Sequence, residues 1–323
     1  MPPEHDPKIQ PDNPVKEKQV CRWVDQRTAL RHFATYNGPT QSQQHIKPLH
    51  WYVACRLVLE GGFHPDDITP HPPFAVVRKK GENLLIFDPA KATGGERTIL
   101  GGLKTKNVDV VVTKNGLGPV MAVSCKGAIG AMRNLTNRME EAIGDCTNLH
   151  ITYPAMVCGY LFVMRAHHAS HLAAGTSESG SSQRGRELQA NDIVLQQDGN
   201  PVLSVRRFHS ALRELTGRNG IRNDVSRYEA VAFALVETAG DEVGRIIEDF
   251  PPADSRLRSE RFFETLYRHY DERYVYSAPD LNSITRRLAW SPDSPVFGPD
   301  KGGIGSGLEF DFEPRMAGGG DEE

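Results

Sequence analysis

The sequence predicts an α/β fold with a mixed sheet, and three patterns predict it. Short apolar runs separated by Gly, Asn and Lys turns crowd residues 74–124 and read as strands. A helix-period stripe follows in Leu135, Met139, Ala142, Cys146 and Leu149. Directly after it comes a wholly apolar run, Ala155–Met164, of the kind buried on both faces of a sheet.

Taken in order, residues 1–18 are rich in Pro and charge and predict a disordered lead-in. Residues 19–166 form the predicted core with its N-terminal helices. A helix over Gln44–Phe63 stops at Gly61-Gly62, a C-terminal signal. His64–Pro73 reads as a Pro- and Asp-rich turn region. Strands are predicted at Phe74–Val77, Leu84–Phe87, Thr98–Leu100, Val108–Val112 and Pro119–Ser124, the last two joined by the hairpin KNGLGP, Lys114–Pro119. The striped helix, Asn134–Leu149, ends before Tyr153-Pro154. Residues 167–192, rich in Ser, Gly and Ala, predict a flexible loop. Residues 193–296 complete the same domain with a basic amphipathic helix (Ser204–Gly217), a strand (Tyr228–Glu237) and a long helix (Arg256–Tyr274). Residues 297–323 predict a disordered acidic tail. Helix, antiparallel strands, helix, buried strand, helix, strand, helix amounts to a mixed β-sheet core flanked by helices.

Composition narrows the function classes. No apolar run of the length a membrane span needs occurs, and the polar start MPPEHDPKIQPDNP lacks the apolar core of a secretory signal, so a membrane role is not expected. The five cysteines, Cys21, Cys55, Cys125, Cys146 and Cys158, are scattered without a CxxC pair, which predicts reduced core residues and a cytoplasmic setting. The net charge is −3, but the segment from Gly298 onward holds seven acids and two bases. The rest of the chain is therefore mildly basic, which permits phosphate binding.

The chemistry-bearing residues lie in the strand region. Asp109 interrupts the apolar run KNVDVVV, and the next strand ends in Ser124-Cys125-Lys126. Two neighbouring strands thus bring an acid and a lysine to one sheet edge. Hard divalent cations want carboxylate oxygens, and phosphodiester hydrolysis wants a cation to polarise the phosphoryl group. A lysine beside that cation orients water or stabilises developing charge. One carboxylate is sparse, and helical phasing offers a second. Asn134, Arg138, Glu141 and Asp145 lie together beside the apolar stripe, whereas Glu140 points away.

Asp109, a strand ending Ser-x-Lys and a helix with Arg138-x-x-Glu141 together resemble the PD-(D/E)XK, or restriction-endonuclease-like, nuclease superfamily, in its variant with a helix-borne glutamate. The motif and strand order cover roughly residues 45–165. Val108 stands where the motif has proline, and Ser124 where it has an acid. The resemblance implies that Asp109 ligates metal and Lys126 is catalytic, with Ser124 beside it in the motif. Glu141 is then the migrated acid, the Cys125 backbone carbonyl a further metal ligand, and Glu60 the first-helix glutamate. It also implies Mg²⁺, or Mn²⁺ in its place, double-stranded DNA as substrate, a homodimer, and a type II-like restriction role in phage defence. Arg133, Asn134 and Arg138 are then candidate DNA contacts. The missing acid at Ser124 leaves a second expectation, a nuclease-like fold that only binds DNA or a partner protein.

Other motifs are less complete. His167, His168 and His171 form a His-rich stretch without a completing Cys or acid, and read as a solvated loop. GGIGSG, Gly302–Gly307, follows no strand and reads as a linker. Lys79-Lys80 and Arg206-Arg207 are basic pairs that suit either DNA or plain surface.

Overall fold

The longest apolar runs become the central strands of one sheet. A computed structural model describes residues 25–39, 43–130, 135–170, 188–298 and 310–318. The five-stranded sheet runs in the order β1 (Ile68–Thr69), β6 (Val110–Lys114), β7 (Gly118–Ala128), β8 (Val157–Ala166), β9 (Ala230–Glu237). β1, β6 and β7 are antiparallel neighbours, whereas β7, β8 and β9 run parallel. The sheet is therefore mixed, and helices cover both faces.

One face packs against α1 (Gln26–Thr35), α2 (Lys47–Leu59) and α5 (Phe262–Tyr270), the other against α3 (Leu135–Thr152) and α4 (Leu203–Glu214). Every residue of β8 is buried, as a continuous apolar run requires of a strand covered on both sides. Phe162, Phe208 and Phe233 meet edge to face or tilted between the sheet and α4, and each such ring contributes about 1.5–3 kcal/mol by burial. The stripe on α3 faces this layer, with Ala142, Cys146 and Leu149 buried and Leu135 and Met139 packed at its rim. The strand after α3 lies parallel to the one before it, so α3 is a crossover between β7 and β8.

Two ribbons stand outside the main sheet, β2 (Phe74–Lys79) with β3 (Glu82–Phe87) and β4 (Arg97–Leu100) with β5 (Thr105–Val108). The β6–β7 hairpin turns at Asn115–Leu117, as its Gly-rich sequence predicts, with Gly116 and Gly118 at positive φ. α2 ends as expected, Phe63 N–H bonding Leu57 O across a positive-φ Gly62.

The structure also differs from expectation. The turn region hides β1, a two-residue strand flanked by prolines and too short to carry an alternation. The long helix over Arg256–Tyr274 is in fact α5, preceded by a 3-10 turn and followed by a π-helix at Asp271–Tyr276. Residues 310–318 of the acidic tail pack against the body: Arg315 N bonds Leu59 O, and Asp311 accepts from Arg56 and Tyr52. Opposite charge and backbone pairing hold this stretch where composition predicted disorder. Expectations for residues 1–18, for 171–187 within the flexible loop and for the Gly302–Gly307 linker lie outside the described residues. The four described cysteines are buried, and no helix among the described residues is long and apolar enough to cross a membrane.

Candidate active site

Asp109 occupies the single-residue break between β5 and β6, where the ladder to β7 stops at Val110 opposite Val123. Its carboxylate continues the pairing in place of backbone: Oδ2 accepts from Cys125 N at 2.7 Å. N–H and C=O of one strand residue leave by the same edge, so the Cys125 carbonyl opens toward Asp109 as well. Lys126 shares a face of β7 with Ser124, and its Nζ stands 3.4 Å from Asp109 Oδ2. The third participant is His50 of α2, whose Nε2 lies 3.7 Å from Asp109 Oδ1. That distance is too long for a hydrogen bond, and His50 Nε2 is buried without a hydrogen-bond partner. Asp109 is 2% exposed and His50 4%.

Charge states follow from this packing. Burial alone would push the Lys126 pKa down, but the negative charges of Asp109, Glu141 and Asp145 together hold it above the ordinary lysine value. Lys126 is therefore a cation at neutral pH. Burial pushes His50 down, Asp109 opposes that, and Lys126 and Lys47 reinforce it. A neutral imidazole results, with one ring nitrogen carrying a free lone pair.

The helix residues are placed differently from the expected convergence of Asp109, Lys126 and Glu141. Phasing is right, Glu141 being half-buried and Glu140 exposed. But Glu141 Oε2 accepts from Arg138 at 2.7 Å, and Oε1 stands 3.9 Å from Lys106 Nζ. Glu141 acts on Lys126 through charge rather than contact. Burial would raise its own pKa, yet Arg138, Lys126 and Lys106 hold it below the ordinary glutamate value. Asp145, on the same helix face, is buried and sits 2.5 Å from Lys106 Nζ. Ser124 is buried on the face turned to α3. Arg133 and Asn134 lie outside the described residues.

Glu60 is a correction. Its carboxylate is bound at the end of α2 by Arg56, at 2.7 and 3.0 Å, and by the Tyr267 hydroxyl at 3.0 Å. Ten residues of helix, about 15 Å, separate it from His50. The residue of α2 that meets Asp109 is His50, which sequence reading missed. A lone histidine in an apolar helix carries no signal of its own. The other missed residue is Lys106, which bridges toward α3 only because the β4–β5 ribbon docks there.

A second polar cluster lies at the start of β8 and β9. Ligand atoms of His150, Cys158 and Glu229 all lie within 4.8 Å of one another. Those atoms are already used. Glu229 Oε1 accepts from Arg218 and Arg273, each at 2.7 Å, and Oε2 accepts from Cys158 N at 2.7 Å. His150 Nδ1 and Nε2 lie 3.0 and 3.2 Å from the carbonyl oxygens of Val225 and Met156. Two donors on two carbonyls make an imidazolium. Burial opposes that charge, and Cys158, Cys146 and Glu229 outweigh it. Two arginines and an imidazolium around one carboxylate leave neither lone pair nor negative charge for a metal. The His-rich stretch is likewise occupied, since His167 Nε2 lies 3.1 Å from Ile129 O and His168 Nε2 2.9 Å from Glu237 Oε2. Both sit in the fold rather than in the solvated loop expected there, and His171 lies outside the described residues.

Comparison with family models, with curated proteins and with solved structures finds no match to this chain.

Proposed function

We propose that the chain is a metal-dependent endonuclease that hydrolyses DNA phosphodiester bonds at Asp109. The carrying observation is the buried Asp109 carboxylate set against a buried imidazole nitrogen without a hydrogen-bond partner, His50 Nε2 at 3.7 Å, and a lysine cation, Lys126 Nζ at 3.4 Å. Asp109 Oδ1, His50 Nε2 and the Cys125 carbonyl would hold a divalent cation. A cation bound there supplies Lewis-acid polarisation of a phosphoryl oxygen. Lys126 stays protonated, so it stabilises the negative charge that develops on the phosphoryl group and orients water by donation. Arg138, on the exposed side of α3, could reach a flanking phosphate by exchanging its Glu141 partner for it.

The donor set bears on the metal. A single carboxylate with an imidazole suits Mn²⁺ at least as well as Mg²⁺. With one carboxylate already shared by Lys126, cation affinity is weak until a phosphate adds negative charge. The order of helix, antiparallel strands, crossover helix and parallel strand supports the resemblance to PD-(D/E)XK nucleases. From that resemblance follow duplex DNA as substrate, a homodimer to cut both strands and a type II-like restriction role.

The test is cleavage of supercoiled and linear duplex DNA with Mg²⁺ or Mn²⁺ by the wild type, Asp109→Asn and Lys126→Met. Loss of cleavage in both variants with unchanged thermal unfolding is expected; equal cleavage by all three would sink the proposal. A second reading, a nuclease-like module that binds DNA or a partner without cutting, is favoured by Ser124 in the acid's place and by the engagement of Glu141 with Arg138. Calorimetry separates them, because that module shows no Mn²⁺ binding sensitive to Asp109→Asn.

A further inference from the structure

The β4–β5 ribbon runs straight into Asp109. A two-stranded ribbon alone is marginal in water, and this one is pinned at both ends. Ile99 and Val108 are buried in the layer between sheet and α3. The turn is clamped to Asn148 of α3. Asn148 O accepts from Gly102 N at 2.8 Å, and Asn148 Oδ1 accepts from Leu103 N at 2.8 Å and Lys104 N at 3.1 Å. Asn148 Nδ2 donates to Lys104 O at 2.9 Å. A Cβ on Gly101 would lie 2.1 Å from Asn148 Nδ2, and one on Gly102 2.1 Å from Ile151 Cγ2, so only glycine permits this approach.

What the clamped turn displays is unusual for a connection. Leu103 is 76% exposed and Leu100 65% exposed. Connecting turns favour polar residues, whereas apolar side chains held out on a rigid support mark contact surfaces. The segment Arg97–Val108 contains no acid, and with Lys106 held by Asp145 it presents two exposed bases, Arg97 and Lys104. Its charge therefore fits a polyanion. From Thr105 to Asp109 the strand spans about 13 Å, well within the ~34 Å turn of a duplex. A phosphate at Asp109 and the turn can thus touch one duplex together.

We infer that the turn Gly101–Lys104 is a duplex-DNA contact in which Leu103 enters a groove as an apolar wedge against the base stack, with Lys104 and Arg97 on flanking phosphates. This rests on the reading that Asp109 handles a DNA phosphodiester. Asn148 makes the wedge effective, because a turn fixed before binding loses little entropy on contact.

The test uses the full chain in EDTA, so that binding is read without cleavage, and a duplex carrying 2-aminopurine, whose fluorescence rises on unstacking. Wild type should bind and raise the fluorescence. Leu103→Ser should abolish the rise and weaken binding about tenfold with unchanged thermal unfolding, and Leu103→Met should restore both. Lys104→Ala should lower the slope of log affinity against log salt by about 1. Duplex binding and fluorescence unchanged in Leu103→Ser overturn the wedge alone, since metal-dependent cleavage by wild type still reports on Asp109. No duplex binding by wild type overturns the wedge and the nuclease reading together. A Leu103→Ser variant that turns a dimer into a monomer on sedimentation while binding duplex as wild type makes the turn a contact between copies and also overturns it.

Discussion

Two buried clusters on the same sheet are built from the same kinds of residue, and their carboxylates are engaged to different degrees. Around Glu229 both carboxylate oxygens and both His150 nitrogens have partners at 2.7–3.2 Å, and both guanidinium groups donate to the carboxylate, although Arg218 Nε and Arg273 Nε are buried without a partner. Around Asp109, His50 Nε2 stands 3.7 Å from Oδ1 and is buried without a hydrogen-bond partner, and Lys126 stands off at 3.4 Å. Buried polar groups are normally bonded. A carboxylate whose two oxygens are both taken up by cations and a backbone N–H is therefore architecture, and one facing an unpartnered imidazole is a candidate place for a ligand. Residue type does not separate the two clusters; the inventory of hydrogen bonds does.

The widest split between the clusters should come from neutralising each carboxylate. Asp109→Asn should lower cleavage by about 10³-fold or more, as loss of a transition-state contact does, and leave thermal stability nearly unchanged. Glu229→Gln should do the reverse. It leaves Arg218 and Arg273 buried without their counter-charge, a loss of about 3–5 kcal/mol, seen as a lower melting temperature and denaturant midpoint. If Asp109→Asn destabilises as much as Glu229→Gln, the distinction between the clusters fails.

Acid sharpens the same comparison. Burial alone would raise the Glu229 pKa, but His150, Arg273 and the Cys158 N–H hold it at about 2, against an ordinary 4.5. A carboxyl depressed on folding adds stability above its unfolded pKa and loses it as pH falls toward the folded one. The contribution, about 3 kcal/mol, is present above pH 4.5 and fades between about 4.5 and about 2. The stability gap between wild type and Glu229→Gln should narrow across that window in urea titrations. A gap that stays constant from pH 5 to pH 2.5 would show that Glu229 is not held as a charge.

Next in size is His50. Removing a metal-side imidazole typically lowers metal affinity or activity about 10–100-fold. His50→Ala should do so, with the Mn²⁺-supported rate falling more than the Mg²⁺-supported one, because the imidazole suits Mn²⁺ better. Equal losses with both metals would mean that His50 only packs against Asp109.

How much of this was legible follows from where the information resides. β7, β8, β9 and α3 were readable because burial on one or two faces writes directly into local periodicity. β1 was not, because two residues between prolines carry no period. Asp109 and Lys126 stood out as charges in apolar strands, a local conflict between charge and burial. His50 and Lys106 did not, since their meaning depends on how α2 and the β4–β5 ribbon dock, which no local pattern encodes. Glu60 misled because an acid at the end of a helix one turn from Arg56 satisfies itself locally.

The smallest expected effect tests the residue on which sequence and structure disagree most finely. Sequence phasing makes Glu141 the second metal acid, and the structure gives its carboxylate to Arg138. That pair is nearly half exposed, with 44% and 36% of the two side chains accessible, so Glu141→Gln should change stability by under about 1 kcal/mol. Its effect on cleavage is then read without a folding background. If Glu141 serves only through its charge on Lys126, cleavage at neutral pH should fall no more than about threefold, because Asp109 and Asp145 still keep Lys126 protonated. The upper limb of the pH–rate profile should then move to lower pH, since the variant removes one of the negative charges that raise the Lys126 pKa. A loss of a hundredfold with an unmoved profile would instead make Glu141 a metal ligand. Binding would then have to release it from Arg138, and the site would be assembled by substrate rather than preformed.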